Sequence, residues 1–338
     1  MNTQHLSCSA DDLARAGELL KRGELVAIPT ETVYGLAANA FDEAAVAKIF
    51  EAKGRPQDNP LIVHIDTLDT LYFLSDDVPE TAAVLADAFW PGPLTIIVPR
   101  GEAVPSIVSA GLPTVAVRFP SSETARTIIR QAGVPLAAPS ANLSGSPSPT
   151  TAERVLADLD GRVAAVVCGE DCEVGLESTV ISLCGGVPRL LRPGGITLEQ
   201  LREVLGDVVA DDAIVNPVKE GEAVASPGMK YKHYSPRCEV TIIDGDADGF
   251  AAYVNARAAD GVAALCFDDE TDGVAVPVIT LGRRDDEAAQ ARRLFEALRE
   301  ADDRGMTTLY AVCPRREGLG LAVFNRLLRA AAFRVVTV

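Results

Sequence analysis

Four groups of residues hold the side chains best placed to do chemistry. Pro29-Thr30-Glu31-Thr32-Val33-Tyr34-Gly35-Leu36 is rich in hydroxyls, and Lys53-Gly54-Arg55-Pro56 sets two cations one residue apart, with Asn59 and His64 close behind. Ser140-Ala141-Asn142-Leu143-Ser144-Gly145 is a small-residue loop. Gly175-Leu176-Glu177-Ser178-Thr179-Val180 and Leu191-Arg192-Pro193-Gly194-Gly195 add another hydroxyl pair and another arginine. Arginine meets phosphate as a planar fork and lysine meets it as a point charge, so Lys53 and Arg55 can together neutralise a polyphosphate. A small-residue loop after a strand can bring backbone N–H groups against phosphate oxygens. It is not a P-loop, because no Gly-Lys-Ser/Thr follows it. Arg118 closes an apolar run, where an inward guanidinium is costly unless it meets a carboxylate or phosphate. Each tract also has a plain structural reading: a capped turn, a cationic helix end matched to the helix dipole, a surface loop, a solvent-facing arginine. Taken as a set, they suit one composite pocket that handles a nucleotide.

The elements that must position these groups alternate between strand and helix. Glu24 to Pro29 reads as a short buried strand that delivers the hydroxyl tract to the carboxyl edge of a sheet, where α/β proteins bind ligands. Asp42 can cap a helix running through Lys53, with Val46, Ile49 and Phe50 on one face. Leu61 to Ile65, Leu94 to Val98, Thr114 to Phe119, Val134 to Ala138, Val163 to Cys168 and Ser178 to Leu183 read as further strands. Ser122 opens a helix toward Gln131, and Thr150 with Glu153 and Thr197 with Gln200 form capping boxes for two more. From about Gly206 to Arg237 the periodicity weakens and Asp, Pro, Gly and Ser accumulate, which marks a linker. Its segment from Ser226 to Pro236 carries Lys230, Tyr231, Lys232, His233 and Tyr234, an aromatic and cationic set that can close over a base and phosphates. Beyond it, strands over 239–243, 262–267, 274–281, 307–312 and 334–338 and helices over 246–259, 285–301 and 319–331 describe a second, smaller α/β domain. Gly318-Leu319-Gly320 before the last helix could form a small anion loop or simply pack helix on sheet.

Length and composition bound the rest. At 338 residues with 48% hydrophobic content, the chain can build two domains with real cores. No apolar run approaches the ~20 residues needed to cross a bilayer, and the charged first 25 residues lack a secretory signal, so a cytoplasmic location is expected. The seven cysteines form neither a CxxC pair nor a zinc pattern, and reduced buried thiols are expected. A net charge of −17 opposes broad attraction to nucleic acid or anionic lipid, so an anionic substrate must be held by a local cationic cluster.

As a set, residues 29–36, 53–64, 139–145, 175–180 and 226–236 resemble the Sua5/YrdC family of L-threonylcarbamoyladenylate synthases, in the longer Sua5 form with a C-terminal domain. Ala37 stands where many relatives have Gly. The resemblance implies an α/β protein: an N-terminal YrdC-like twisted mixed sheet with helices over 1–205, a linker over 206–238 that closes on the active site, and a Rossmann-like α/β domain over 239–338. It implies a nucleotidyltransferase that joins L-threonine, bicarbonate or CO2, and ATP into threonylcarbamoyl-AMP with release of pyrophosphate. Mg²⁺ accompanies the ATP, and the product passes to the transferase machinery that makes t6A at position 37 of tRNA. By motif position, Thr32, His64, Arg118, Ala138 and Ser178 look like the threonine set. Arg55, Asn59, Thr114, Ser140, Asn142, Ser148 and Arg192 look like the ATP set, with Tyr231 or Tyr234 joining from the linker. Lys53 and Arg55 look like the residues that stabilise charge at the reacting phosphate, with no metal held by protein ligands. Two other readings stay open. A carbamoyl-adenylate former of the hydrogenase-maturation type lacks its acylphosphatase-like and zinc-finger regions here. An RNA-binding module is opposed by the acidity and by the missing aromatic RNA motif.

Overall fold

A computed structural model describes residues 2–217 and 233–338. The chain divides into two units, the first built from residues 2–144 and 148–214, the second from 145–147, 215–217 and 233–338. Residues 206–214, expected in the linker, therefore belong with the first unit, and they include a short strand and a 3₁₀ turn over Asp212–Ile214.

In chain order the strands of the first unit are β1 (Gln4–Leu6), β2 (Val26–Ile28), β3 (Gly35–Asn39), β4 (Ile62–His64), β5 (Leu94–Pro99), β6 (Thr114–Arg118), β7 (Leu136–Ala137), β8 (Ala165–Val167), β9 (Thr179–Ser182), β10 (Arg189–Arg192) and β11 (Val209–Ala210). They join in the order β1-β8-β2-β3-β7-β4-β6-β5-β9-β10-β11, a sheet that mixes parallel and antiparallel pairs. Most expected strands are present with trimmed ends. Sequence reading took Gly35-Leu36 as part of a turn, whereas Gly35 begins β3 and pairs back on Ile28.

Helices lock onto this sheet where local chemistry tells them to start. Asp42 accepts hydrogen bonds from the N–H groups of Ala44 and Ala45, opening the helix Glu43–Lys53, whose Val46, Ile49 and Phe50 are buried. Gly54, at φ 62°, ends it in the left-handed conformation that suits glycine, which turns the chain toward Arg55. The capping box at Thr197 and Gln200 forms as expected. The one expected at Thr150 does not, because Thr151 is the residue that accepts from the Arg154 N–H, one position later. The helices Ala10–Lys21 and Glu123–Ala132 pack together over β1, β2 and β8, burying Leu13, Leu20, Ile128 and Ile129. They approach so closely that a Cβ on Gly17 would lie 2.5 Å from Gln131 Cβ. Full burial of each such aliphatic side chain contributes roughly 1.5–3 kcal/mol.

In the second unit β12 (Glu239–Asp244), β13 (Val262–Cys266), β14 (Val278–Thr280), β15 (Thr308–Val312) and β16 (Val335–Thr337) form an all-parallel sheet in the order β14-β13-β15-β12-β16. Tyr234 sits in this unit at φ 60°, a strained setting for an aromatic residue, with its ring 5.2 Å from that of Phe295 and the buried Arg326 guanidinium 5.7 Å from it. The turn before the helix Gly320–Ala330 is not an open anion loop, since the Glu287 carboxylate already accepts from the Gly320 N–H at 2.9 Å. All seven cysteines are free thiols, but only Cys172, Cys238 and Cys266 are buried, and Cys8 is exposed. No helix among the described residues is long and apolar enough to cross a membrane.

Candidate active site

The hydroxyl tract is the loop from β2 to β3. Thr30 Oγ1 donates to the Val33 carbonyl at 2.7 Å and lies 2.9 Å from Thr32 Oγ1, so the loop is tied from within. Across the sheet, His64 on β4 pairs in register with Arg118 on β6, which pairs with Thr95 on β5. These three side chains therefore leave the same face of the sheet side by side. Arg118 is 4% exposed; its Nη1 donates to Thr32 Oγ1 at 2.8 Å, and its Nη2 lies 2.7 Å from Glu31 Oε1. The second contact is a close ion pair, and the Nε of this buried guanidinium has no hydrogen-bond acceptor. Burial acts to raise the Glu31 pKa, but the Arg118 charge prevails and holds the carboxyl below its usual range. His64 is also buried and donates from Nδ1 to the Ile62 carbonyl at 3.2 Å. Burial, then the neighbouring Arg118, pushes its pKa down to about 3, so the imidazole is neutral at pH 7.

Beside this row lies Ser178, just before β9. Its hydroxyl is 2.7 Å from Thr95 Oγ1 and accepts from Arg192 Nη2 at 3.2 Å, while Arg192 Nε donates to the Ser178 carbonyl at 3.0 Å. Gly194 is packed so tightly on this segment that a Cβ there would lie 2.4 Å from Thr179 N and 2.6 Å from the Glu177 carbonyl oxygen. Thr32, His64, Arg118 and Ser178 are thus gathered into one group. Ala138 follows β7, 5% exposed, with its N–H donating to the Ile62 carbonyl at 3.0 Å.

A second group forms around the end of the helix Glu43–Lys53. Lys53, 3% exposed, donates from Nζ to the carbonyls of Ser140 and Asn142 at 2.5 Å each, and its own carbonyl accepts from the Ser144 N–H at 2.9 Å. The small-residue loop is therefore gripped from both ends of one lysine. Burial, then the Arg55 charge, drives the Lys53 pKa well below the usual lysine value. Ser140 Oγ donates to Asn142 Oδ1 at 2.5 Å, and Ser140 bridges to Gly35 of β3. Arg55 Nη2 donates to the carbonyls of Asn59 and Pro60, at 3.4 and 3.3 Å. Thr114 opens β6, about 13 Å of strand from Arg118, and just ahead of β4 the Leu61 N–H donates to the Val108 carbonyl at 2.9 Å. Asn59 is 1% exposed and its Oδ1 has no partner. Ser148 donates to Glu177 Oε1 at 2.5 Å, both residues being buried.

Among the expected ATP residues, Arg55, Asn59 and Thr114 lie at one end of β4 and β6, with Lys53, Ser140 and Asn142 at the helix end, whereas Arg192 joins Ser178. Tyr234 lies in the second unit, packed on Phe295. Tyr231 falls outside the described residues. Sequence reasoning did not assign Glu31, Thr95 or Glu177 to the site. A signal existed for Glu31, because a buried Arg118 needs a counter-charge and Glu31 sits beside Thr32. Thr95 gave none beyond one polar residue in an apolar strand.

Comparison with known proteins agrees with this architecture. The Sua5/YciO/YrdC family model, described as telomere recombination, matches residues 18–194, and one described as the threonylcarbamoyl-AMP synthase C-terminal domain matches residues 196–332. Threonylcarbamoyl-AMP synthase of Pyrococcus abyssi is 44% identical over 332 residues, covering 96% of this chain and 95% of that protein. The protein of the same name from Bacillus subtilis is 44% identical over 338 residues, covering 99% and 97%. The crystal structure of P. abyssi Sua5 complexed with L-threonine superposes with a TM-score of 0.92 at 41% identity, covering 100% of both chains. On these grounds the chain belongs to the Sua5/YrdC family of threonylcarbamoyl-AMP synthases, with both the YrdC-like and the Sua5 C-terminal regions.

Proposed function

We propose that the site in the first unit joins L-threonine, bicarbonate or CO2, and ATP into threonylcarbamoyl-AMP, releasing pyrophosphate, as the adenylating step that precedes t6A formation on tRNA. One observation carries this reading: the buried Arg118, in register with His64 and Thr95 and held by Thr32 and Glu31, keeps an Nε donor with no hydrogen-bond acceptor, and Thr95 links this row to Ser178. That N–H, with the guanidinium charge behind it, suits an oxygen of a carboxylate. The related P. abyssi protein, whose structure holds L-threonine, supports an amino acid as the ligand.

In this reading Thr32, His64, Arg118, Ala138 and Ser178 hold threonine. Its neutral amine attacks CO2 and gives up a proton to bicarbonate or water, and an oxygen of the resulting carbamate attacks the α-phosphate of ATP as the bond to pyrophosphate breaks. Threonine with its neutral amine, the carbamate, ATP and pyrophosphate are all anionic, so catalysis rests on positioning and on charge already in place. Arg55, Asn59, Thr114, Ser140, Asn142, Ser148 and Arg192 bind the nucleotide, with Tyr231 or Tyr234 as candidates from the linker. Lys53 shapes the loop that faces the phosphates and adds its charge behind it. Among the described residues no cluster of three His, Cys, Asp or Glu suits a metal, and the nucleotide residues are cationic or neutral, so Mg²⁺ would enter on the phosphates and water. The anionic product would then pass to a transferase; the acidity of the chain disfavours direct capture of tRNA.

Mass spectrometry of a reaction containing threonine, bicarbonate and ATP tests the proposal. The expected product carries AMP joined to N-carboxythreonine and requires all three substrates. Formation of an adenylate only with carbamoyl phosphate would overturn it.

A further inference from the structure

Thr95 occupies a position where its hydroxyl has one use. It is fully buried on β5, between Arg118 in register on β6 and Ser178, and Ser178 Oγ, 2.7 Å away, is the one hydrogen-bond partner of its Oγ1 among the described residues. A hydroxyl offers one hydrogen and two lone pairs. If Ser178 donated to Thr95, the hydrogen of Thr95 would be left without an acceptor inside the protein, which costs the desolvation of that group. The arrangement that wastes no buried donor has Thr95 donating to Ser178. Ser178 Oγ already accepts from Arg192 Nη2 at 3.2 Å. Both lone pairs of Ser178 are then filled, and its single hydrogen is left to donate outward.

We infer that Thr95 is a positioning residue which, with Arg192, fixes Ser178 as a one-way hydrogen-bond donor toward an oxygen of the bound amino acid. The inference rests on the proposed assignment of Ser178 to the threonine set. The backbone supports it: the Thr179 N–H donates to the Pro93 carbonyl at 2.9 Å, Thr179 Oγ1 donates to the Ile196 carbonyl at 2.6 Å, and Gly194 leaves Ser178 no room to shift. Thr95 itself touches no substrate. It acts by deciding which way another hydroxyl points, and so discriminates in favour of a ligand oxygen that accepts over a ligand group that donates.

The test compares wild type with Thr95→Val, Thr95→Ser, Ser178→Ala and the Thr95→Val/Ser178→Ala double variant. Threonine affinity is read by calorimetry and by KM, and ATP KM is read in parallel. Loss of one directed hydrogen bond is expected to weaken threonine about ten-fold in Thr95→Val while ATP KM stays within about two-fold. Thr95→Ser is expected to restore wild-type affinity. The double variant is expected to bind threonine no more weakly than Ser178→Ala, because one residue acts through the other. Thermal melting checks each fold, and Thr95→Ala carries the same comparison if Thr95→Val does not fold. Additive losses in the double variant, unchanged threonine affinity in Thr95→Val, or an equal rise in ATP KM would overturn the inference. Failure of wild type to bind threonine at all would instead overturn the functional reading beneath it.

Discussion

Lys53 Nζ lies 2.5 Å from the carbonyl oxygen of Ser140, and the same distance from that of Asn142, so the ammonium of this buried lysine faces the loop backbone. Lys53→Met is therefore expected to loosen the loop, with faster amide exchange over residues 140–144. Affinities for AMP and ATP should fall by a similar factor, about ten-fold or more, since charged hydrogen bonds to the loop are lost. A loss for ATP ten times greater than for AMP would show that Lys53 grips phosphates directly.

Glu31 and Arg118 neutralise each other at 6% and 5% side-chain exposure. Removing one member of a buried pair leaves the other charge uncompensated, at a cost of about 3 kcal/mol. Glu31→Gln is expected to lower stability to urea by about that much and to raise the threonine KM as Arg118 loses its fixed orientation. An unchanged urea midpoint would exclude the ion pair as a support of the site.

The His64 pKa of about 3, against an ordinary value of 6.5, gives a pH signature. Between those values the unfolded chain binds a proton at this residue while the folded chain does not, so stability falls as pH falls through the window. Arg118 opposes protonation of the ring and Glu31 favours it, but burial is the largest influence. His64→Gln is expected to flatten the pH dependence of stability between about pH 6.5 and 4 by up to ~1.4 kcal/mol per unit. Parallel curves for the two proteins would mean that His64 titrates normally.

Gly194→Ala would press a methyl group into the backbone of Glu177 and Thr179. Overpacking of this kind costs about 1–3 kcal/mol or more. Loss of threonine-dependent turnover with a lowered melting temperature is the expected result, and full activity would show that the Ser178 segment can move.

Much of the frame was readable because it is written in local chemistry. Asp42 announces its helix, Gly54 ends it, and Thr197 with Gln200 closes a capping box, all within a few residues of chain. The gathering of Thr32, His64, Arg118 and Ser178 was expected only through family resemblance, since contacts across β4, β6, β5 and β9 depend on strand order. Thr95 stayed hidden for the same reason: a threonine in a strand looks ordinary until register sets it beside Arg118. The cap at Thr151 was misplaced because Thr150 and Thr151 offer the same hydroxyl, and only the chain direction entering the helix chooses between them. Lys53 is legible as a charge, but its contacts with the carbonyls of Ser140 and Asn142 are not, because those residues lie 87 and 89 positions further along the chain.

The head of the last helix in the second unit is already closed by the chain itself. Glu287 reaches the Gly320 N–H and also stands 3.7 Å from Arg315. An incoming phosphate would have to evict a tethered carboxylate that holds the same donor at no entropic cost of association. The turn thus behaves as a seal between two helices, and any small-molecule role for this unit has to be sought away from it.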